Sequence, residues 1–163
     1  MLSDTRTVAA EPVDSPEVTA LPWTYEAEMI GRYVGRPATD AEVDRELDEH
    51  PNDGLAPPTG TVFVLRDDGS PMGCVGVRFA VDGPATAELK RLFVVPGQRG
   101  TGAGRQLVAA AEDAARASGA RTLRLDTRHD LVEACALYEA CGSAEVRAFN
   151  AGPYAQRWYA KEI

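Results

Sequence analysis
The chain of 163 residues sits near one domain on a prior of roughly 100–200 residues each, and it is long enough to bury a single sizeable core. It is 44% hydrophobic and 26% charged, and its 17 Lys+Arg against 25 Asp+Glu leave a net charge of -8 at pH 7. That balance, with a pI near 4.8, argues against nucleic acid or a membrane as partner, and no window approaches the ~18 apolar residues of a membrane span.

One domain over residues 1–163 is expected, with its first few residues disordered. The opening MLSDTRTVAAEP lacks a basic region followed by an apolar core, so it does not read as a secretory signal. Residues 6–12 predict a first strand. DSPE then starts a helix, with Asp14 or Ser15 as cap, Pro16 in the first turn and Glu17 near the positive helix end. The helix runs toward Gly35, and Pro22 inside it predicts a kink or a break. A second, acidic helix fits residues 39–49, capped by Thr39 or Asp40, and HPNDGLAPPTG over 50–60 is a loop.

Strand signals follow. Residues 61–66 (TVFVLR) and 71–81 (PMGCVGVRFAV) flank a hairpin turn at Asp67-Asp68-Gly69-Ser70. Asp82-Gly83 turns the chain again, and 86–95 is the next strand. A glycine-rich loop leads into an Ala-rich amphipathic helix over 105–118, stopped by Gly119. Residues 121–127 form a strand, 131–140 a helix ended by Gly142, and 144–148 and 157–163 two last strands. The pattern is α+β. Cys74, Cys135 and Cys141 make an odd count without metal spacing, which points to a reduced, cytoplasmic protein with packing thiols and no metal site.

Charge is uneven. Residues 1–57 hold 4 basic and 13 acidic residues, and the remaining 106 hold 13 basic and 12 acidic, so the acid surplus belongs to the N-terminal third. It reads either as a solvated acidic surface or as an attractor for cationic substrates.

The segment LFVVPGQRGTGAGRQLV (92–108) is the most informative. A strand feeds a loop with Gly100, Gly102 and Gly104, and the loop opens a helix. First-turn amides of a helix have no internal partner and suit an anion, while glycines let a phosphate approach the backbone. Arg99 and Arg105 add positive charge. No Gly-Lys-Ser/Thr closes the loop, so it is not a Walker loop, and its spacing and place after a meander do not fit a dinucleotide fingerprint. A tight turn with close helix packing is the bland alternative.

The arrangement Arg99-x-x-Gly102-x-Gly104 after Leu92-Phe93-Val94-Val95-Pro96 resembles the acetyl-coenzyme A signature of the GNAT superfamily of N-acetyltransferases. The stretch 87–94 is similar to the family's central strand, and Ala136-Leu137-Tyr138 through Gly142 to its late helix. The resemblance implies a central mixed, mostly antiparallel sheet with splayed middle strands flanked by helices. It implies acetyl-CoA as cosubstrate, with Phe93, Val94 and Val95 binding the pantetheine arm through their backbone. Arg99, Gly100, Thr101, Gly102, Ala103, Gly104 and Arg105 would hold the pyrophosphate, and an amide at the strand bulge would stabilise the oxyanion. A small-molecule amine is the implied partner. Dimers are frequent in such folds, so a homodimer is one expectation, though no residue here specifies it.

The same resemblance assigns Glu88 as general base, directly or through water, and Tyr138 as general acid to the coenzyme A sulfur. Glu88 also reads as a strand Glu paired with Lys or Arg, and Tyr138 as a half-buried core aromatic. Leu131 stands where an Asn is usual, seven before Tyr138, and Ser143 where a Phe is usual. His129 reads as a solvated loop residue. In the family the acceptor enters beside the first helices and the last hairpin, which nominates Glu28, Tyr33 and Tyr154. The acidic N-terminal third then favours a cationic or zwitterionic acceptor. A non-catalytic acyl-CoA-binding relative, a protein N-acetyltransferase and a nucleotide-binding oxidoreductase are the alternatives.

Overall fold
A computed structural model describes residues 5–49 and 54–163. The expected disordered start over residues 1–4, and the first four residues of the loop expected over 50–60, lie outside these residues. In chain order the elements are β1 (Arg6–Glu11), α1 (Pro16–Val34), α2 (Asp40–Glu49), β2 (Gly60–Asp67), β3 (Ser70–Arg78), β4 (Thr86–Val94), a 3-10 turn (Pro96–Gln98), α3 (Ala103–Ala117), β5 (Thr122–Thr127), α4 (Val132–Ala140), β6 (Ala144–Val146) and β7 (Arg157–Glu162). The seven strands form one sheet in the order β1-β2-β3-β4-β5-β7-β6. Every neighbouring pair is antiparallel except β4 and β5, which are parallel and joined through α3. The expected mixed, mostly antiparallel sheet flanked by helices is therefore the observed one.

Strand alternation builds two cores on two faces. Val62 and Val64 of β2, Cys74 of β3 and Phe93 of β4 face Val18 and Leu21 of α1. Val75 and Val77 of β3, Ala87 and Leu89 of β4, and Leu123 and Leu125 of β5 face Leu107, Val108, Ala111 and Ala115 of α3. Those α3 positions recur at helical spacing and leave Asp113 and Arg116 to solvent, where they pair at 3.1 Å.

The local signals resolve into particular contacts. Ser15 caps α1, its Oγ accepting from the Val18 N–H at 3.3 Å, and Gly35 ends it in the left-handed region. Pro22 does not break α1, which runs continuously through it. The proline removes one backbone bond, and its ring is buried beside Val18 and Leu21, so packing on the sheet outweighs the local defect. Thr39 rather than Asp40 caps α2 through a capping box: its Oγ1 accepts from the Glu42 N–H at 3.2 Å, and its own N–H donates to Glu42 at 2.9 Å. β3 ends at Arg78, short of the predicted 81, because Ala80 and Asp82 take left-handed conformations. α3 begins two residues earlier than expected, and β6 is two residues shorter.

Leu107 is fully buried between α3 and the sheet. Leu107→Ala is expected to lower unfolding stability by about 2–5 kcal/mol in chemical denaturation, through lost burial and the cavity left behind.

Candidate active site
β4 and β5 share register only from Thr86 to Glu88 against Thr122 to Arg124. Beyond that they part. On its other side β4 meets β3 with Cys74 opposite Phe93 and Gly76 opposite Lys90, so three steps on β4 match two on β3. The extra residue makes a bulge, and Arg91 sits there at φ 52, unusual for a side-chain-bearing residue. Bulge and splay together open a cavity of about 860 Å³. Its walls are β4 from Leu89 to Val94, α1 with Tyr25, Glu28 and Met29, α4 with Leu137 and Tyr138, and β5 with Asp126.

Backbone alternation decides which groups face this gap. The Val95 N–H donates to Met72 of β3 at 2.9 Å. Antiparallel pairing then turns the polar groups of Phe93 toward β3 as well, and those of Val94 toward the gap. Of the three residues expected to bind through the backbone, Val94 alone presents its N–H there. Its carbonyl accepts from Arg99 Nε at 2.8 Å. Phe93 contributes its ring instead, edge-on to Tyr25 with centroids 6.1 Å apart.

At the end of β4 the loop enters α3. Gly100 and Gly102 lie at φ 76 and 90, which L side chains rarely adopt, and Gly102 caps α3 without a side-chain acceptor. The first-turn amides of α3 therefore have no side-chain partner at that cap. Gly104 lets α3 lie close to α4: a Cβ there would come 2.8 Å from the Leu137 side chain, which would have to shift. Gly100, Gly102, Gly104, Arg99 and Arg105 all line the cavity, whereas Thr101 and Ala103 do not. Ala103 is buried in the core, and Thr101 turns outward to Arg6.

Arg6 belongs to β1, 95 residues away in sequence, yet it holds the loop with three bonds. It donates to Gln98 Oε1 at 3.0 Å, to the Thr101 carbonyl at 2.9 Å and to Thr101 Oγ1 at 2.6 Å. Nothing local in the sequence signals this clamp. Opposite it, Arg99 forks onto Glu28 of α1 at 2.9 and 2.6 Å. A residue expected on the cofactor and one expected on the acceptor thus bind each other across the cavity mouth.

The remaining candidates separate clearly. Tyr138 is 6% exposed and lines the cavity. Burial raises its phenol well above the usual range, so it stays protonated and able to donate at neutral pH. Tyr25 is raised by the same cause. Glu88 is buried but lies outside the cavity lining, with Lys90 Nζ at 2.6 Å and Arg124 Nε at 3.4 Å. Tyr154 lines the cavity; Tyr33 does not, and stands edge-on to Tyr154 at 5.6 Å. His129 is exposed. Cys74 is buried and pushed up to about 12 by desolvation, which makes it a packing thiol. Among the described residues no cluster of His, Cys, Asp or Glu could hold a metal ion, and no helix is long and apolar enough to cross a membrane.

The parallel strands β4 and β5 part above a helix N-terminus that has no side-chain cap, and comparison with known proteins identifies the fold. The sequence profile of the Acetyltransferase (GNAT) family matches residues 20–143. An IAA acetyltransferase of Azospirillum brasilense is 36% identical over 127 residues, 78% of each chain. An acetyltransferase of Streptococcus agalactiae has the same fold, with TM-score 0.71 at 19% identity over 99% of this chain and 100% of that one. An aminoglycoside acetyltransferase in complex with coenzyme A superposes with TM-score 0.67 at 18% identity, over 96% of this chain and 94% of that one. The chain belongs to the GNAT family and is an acetyltransferase.

Arg6→Ala is expected to raise KM for acetyl-coenzyme A about 3- to 10-fold with kcat unchanged, a loss of binding equal to about one hydrogen bond at 0.5–1.5 kcal/mol as the loosened loop keeps its other contacts. Steady-state kinetics with the donor varied would check it.

Proposed function
We propose that the protein transfers the acetyl group of acetyl-coenzyme A to the primary amine of a small cationic or zwitterionic molecule, by direct attack on the thioester. The observation that carries this reading is the parting of β4 and β5 above the uncapped N-terminus of α3. The first-turn amides of α3 and the Arg105 guanidinium suit a diphosphate. The freed edge of β4 offers the Val94 N–H to an extended pantetheine arm. Such an arm, anchored at α3, carries a thioester toward the Arg91 bulge. The acceptor then enters from the far side, where Glu26 of α1, Glu46 of α2, Asp126 of β5 and Tyr154 line the cavity. Asp126 at the cavity wall and the acid surplus of the N-terminal third support a positively charged amine. The coenzyme A in the aminoglycoside acetyltransferase and the acetyl coenzyme A in a Bacillus anthracis relative accord with the donor.

The chemistry demands two proton movements. A free alkylamine of pKa ~10 is neutral in only about one molecule in a few thousand at pH 7. It must lose a proton before attack, and the leaving sulfur must gain one. Tyr138, held protonated by burial at the cavity wall, is the donor to the sulfur.

A panel of ethanolamine, putrescine, lysine, spermidine and glycinamide with acetyl-coenzyme A, read as released thiol, tests the reading. Amine-dependent thiol release is expected, and activity confined to neutral or anionic acceptors in a wider panel rejects the charge preference. Tyr138→Phe is expected to lower kcat about 100-fold while KM for acetyl-coenzyme A stays within about two-fold. Full activity in that variant leaves Tyr138 as packing.

A further inference from the structure
Asp126 and Arg124 lie two apart on β5 and so share a face of the sheet. Arg124 is fully engaged: it pairs with Glu88 at 3.4 Å and Asp82 at 2.8 Å, and it covers the Phe149 ring at 4.1 Å. Asp126 lies just past the last β4–β5 pair, Glu88 with Arg124, where the strands have already separated. It lines the cavity.

One oxygen of Asp126 is held from behind. Asn150, in the loop between β6 and β7, donates from Nδ2 to Asp126 Oδ2 at 2.8 Å. Asn150 Oδ1 accepts in turn from Trp158 Nε1 at 3.0 Å. Trp158 is the register partner of Asp126 on β7, so the sheet itself closes the chain. An indole N–H only donates and a carboxylate only accepts, which dictates the orientation of the amide between them. The other oxygen, Oδ1, has no hydrogen bond among the described residues. The cavity that Asp126 lines is also walled by Tyr25 and Glu26 of α1, Lys90 and Arg91 of β4, and Tyr138 of α4. Electrostatically Asp126 acts on both phenols.

We propose that Asp126 receives the ammonium of the acceptor and takes its proton, with Asn150 and Trp158 as positioning residues behind it. This rests on the acetyl-transfer reading. An N–H bond of the ammonium breaks and an O–H bond forms on Asp126. The freed nitrogen lone pair forms the C–N bond to the thioester carbon as the C–S bond breaks. The sulfur takes the Tyr138 proton, and the second nitrogen proton restores the phenol. The Asp126 proton leaves to solvent, so one ammonium and one thioester give one amide, one thiol and one proton.

The test uses the full chain and the panel amine that wild type turns over fastest. Asp126→Asn is expected to lower kcat/KM for that amine about 100-fold or more, to leave KM for acetyl-coenzyme A within about two-fold, and to abolish the acid limb of the pH–rate profile. Asn150→Ala removes a donor from the carboxylate, so its acid limb is expected to move to higher pH. Trp158→Phe is expected to move it the same way by less. A structural role alone does not shift that limb. Asp126→Asn retaining half of wild-type kcat/KM overturns the proposal. So does an acid limb that Glu88→Gln removes and Asp126→Asn leaves in place, or a loss confined to acetyl-coenzyme A binding. If Asp126→Asn loses its far-UV circular dichroism, Asp126→Glu decides: a fall of about 10-fold or more supports the role and full activity overturns it. A wild type that binds acetyl-coenzyme A calorimetrically but turns over no panel amine overturns the small-amine reading and this proposal with it. With activity intact, only the assignment to Asp126 is at stake.

Discussion
Beyond Glu88, β4 has no neighbouring strand on the side of β5. An unpaired strand edge inside a protein is costly, because buried N–H and C=O groups need partners. Here the edge is kept open by what surrounds it. The bulge at Arg91 turns β4 away, α4 roofs the gap with Leu137 and Tyr138, and β5 follows β7 through six register pairs instead of β4. The vacancy between the two strands is thus a consequence of strand pairing elsewhere in the sheet. An extended ligand that offers alternating donors and acceptors is the natural completion of such an edge.

Around that gap, arginines hold the walls in place. Buried Arg128 forks onto Asp130 and also reaches the Met29 carbonyl at 2.8 Å, fastening the β5–α4 loop to α1. Arg32 reaches from α1 to the Asp130 carbonyl and Glu133, and Arg99 ties α1 to the end of β4. Planar guanidinium groups make several directed bonds each, so a few residues join four elements. A cavity whose walls are held this way needs little rearrangement to present its polar groups, which is the requirement for electrostatic catalysis.

The readable part of the site was the loop. Three glycines spaced between a strand and an Ala-rich helix point to an exposed helix N-terminus, with a tight packed turn as the alternative, and Tyr138 lies in a helix pattern that the structure sets against the cavity. The carboxylates were harder. Glu88 lies on the right strand, but its register places it against Arg124 and Lys90. Asp126 shows no local pattern. Its place depends on where β4 stops pairing with β5, and its support comes from Asn150 and Trp158, 24 and 32 residues further on. Arg6 was unreadable for the same reason: its partners are on the far side of the sheet order in sequence, though adjacent in space.

Amino-acid order alone dictated the elements with short-range causes: capped helices, alternating strands, a hairpin turn at Asp68-Gly69, and a glycine loop that must precede a helix. Those depend on backbone geometry within a few residues. Tertiary structure decided whether Pro22 interrupts α1, which backbone groups of β4 remain unpaired, and that Asp126 lines the cavity while Glu88 does not. Each of these is settled by pairing and burial between segments far apart in the chain, where the energy of the neighbour outweighs the preference of the residue itself.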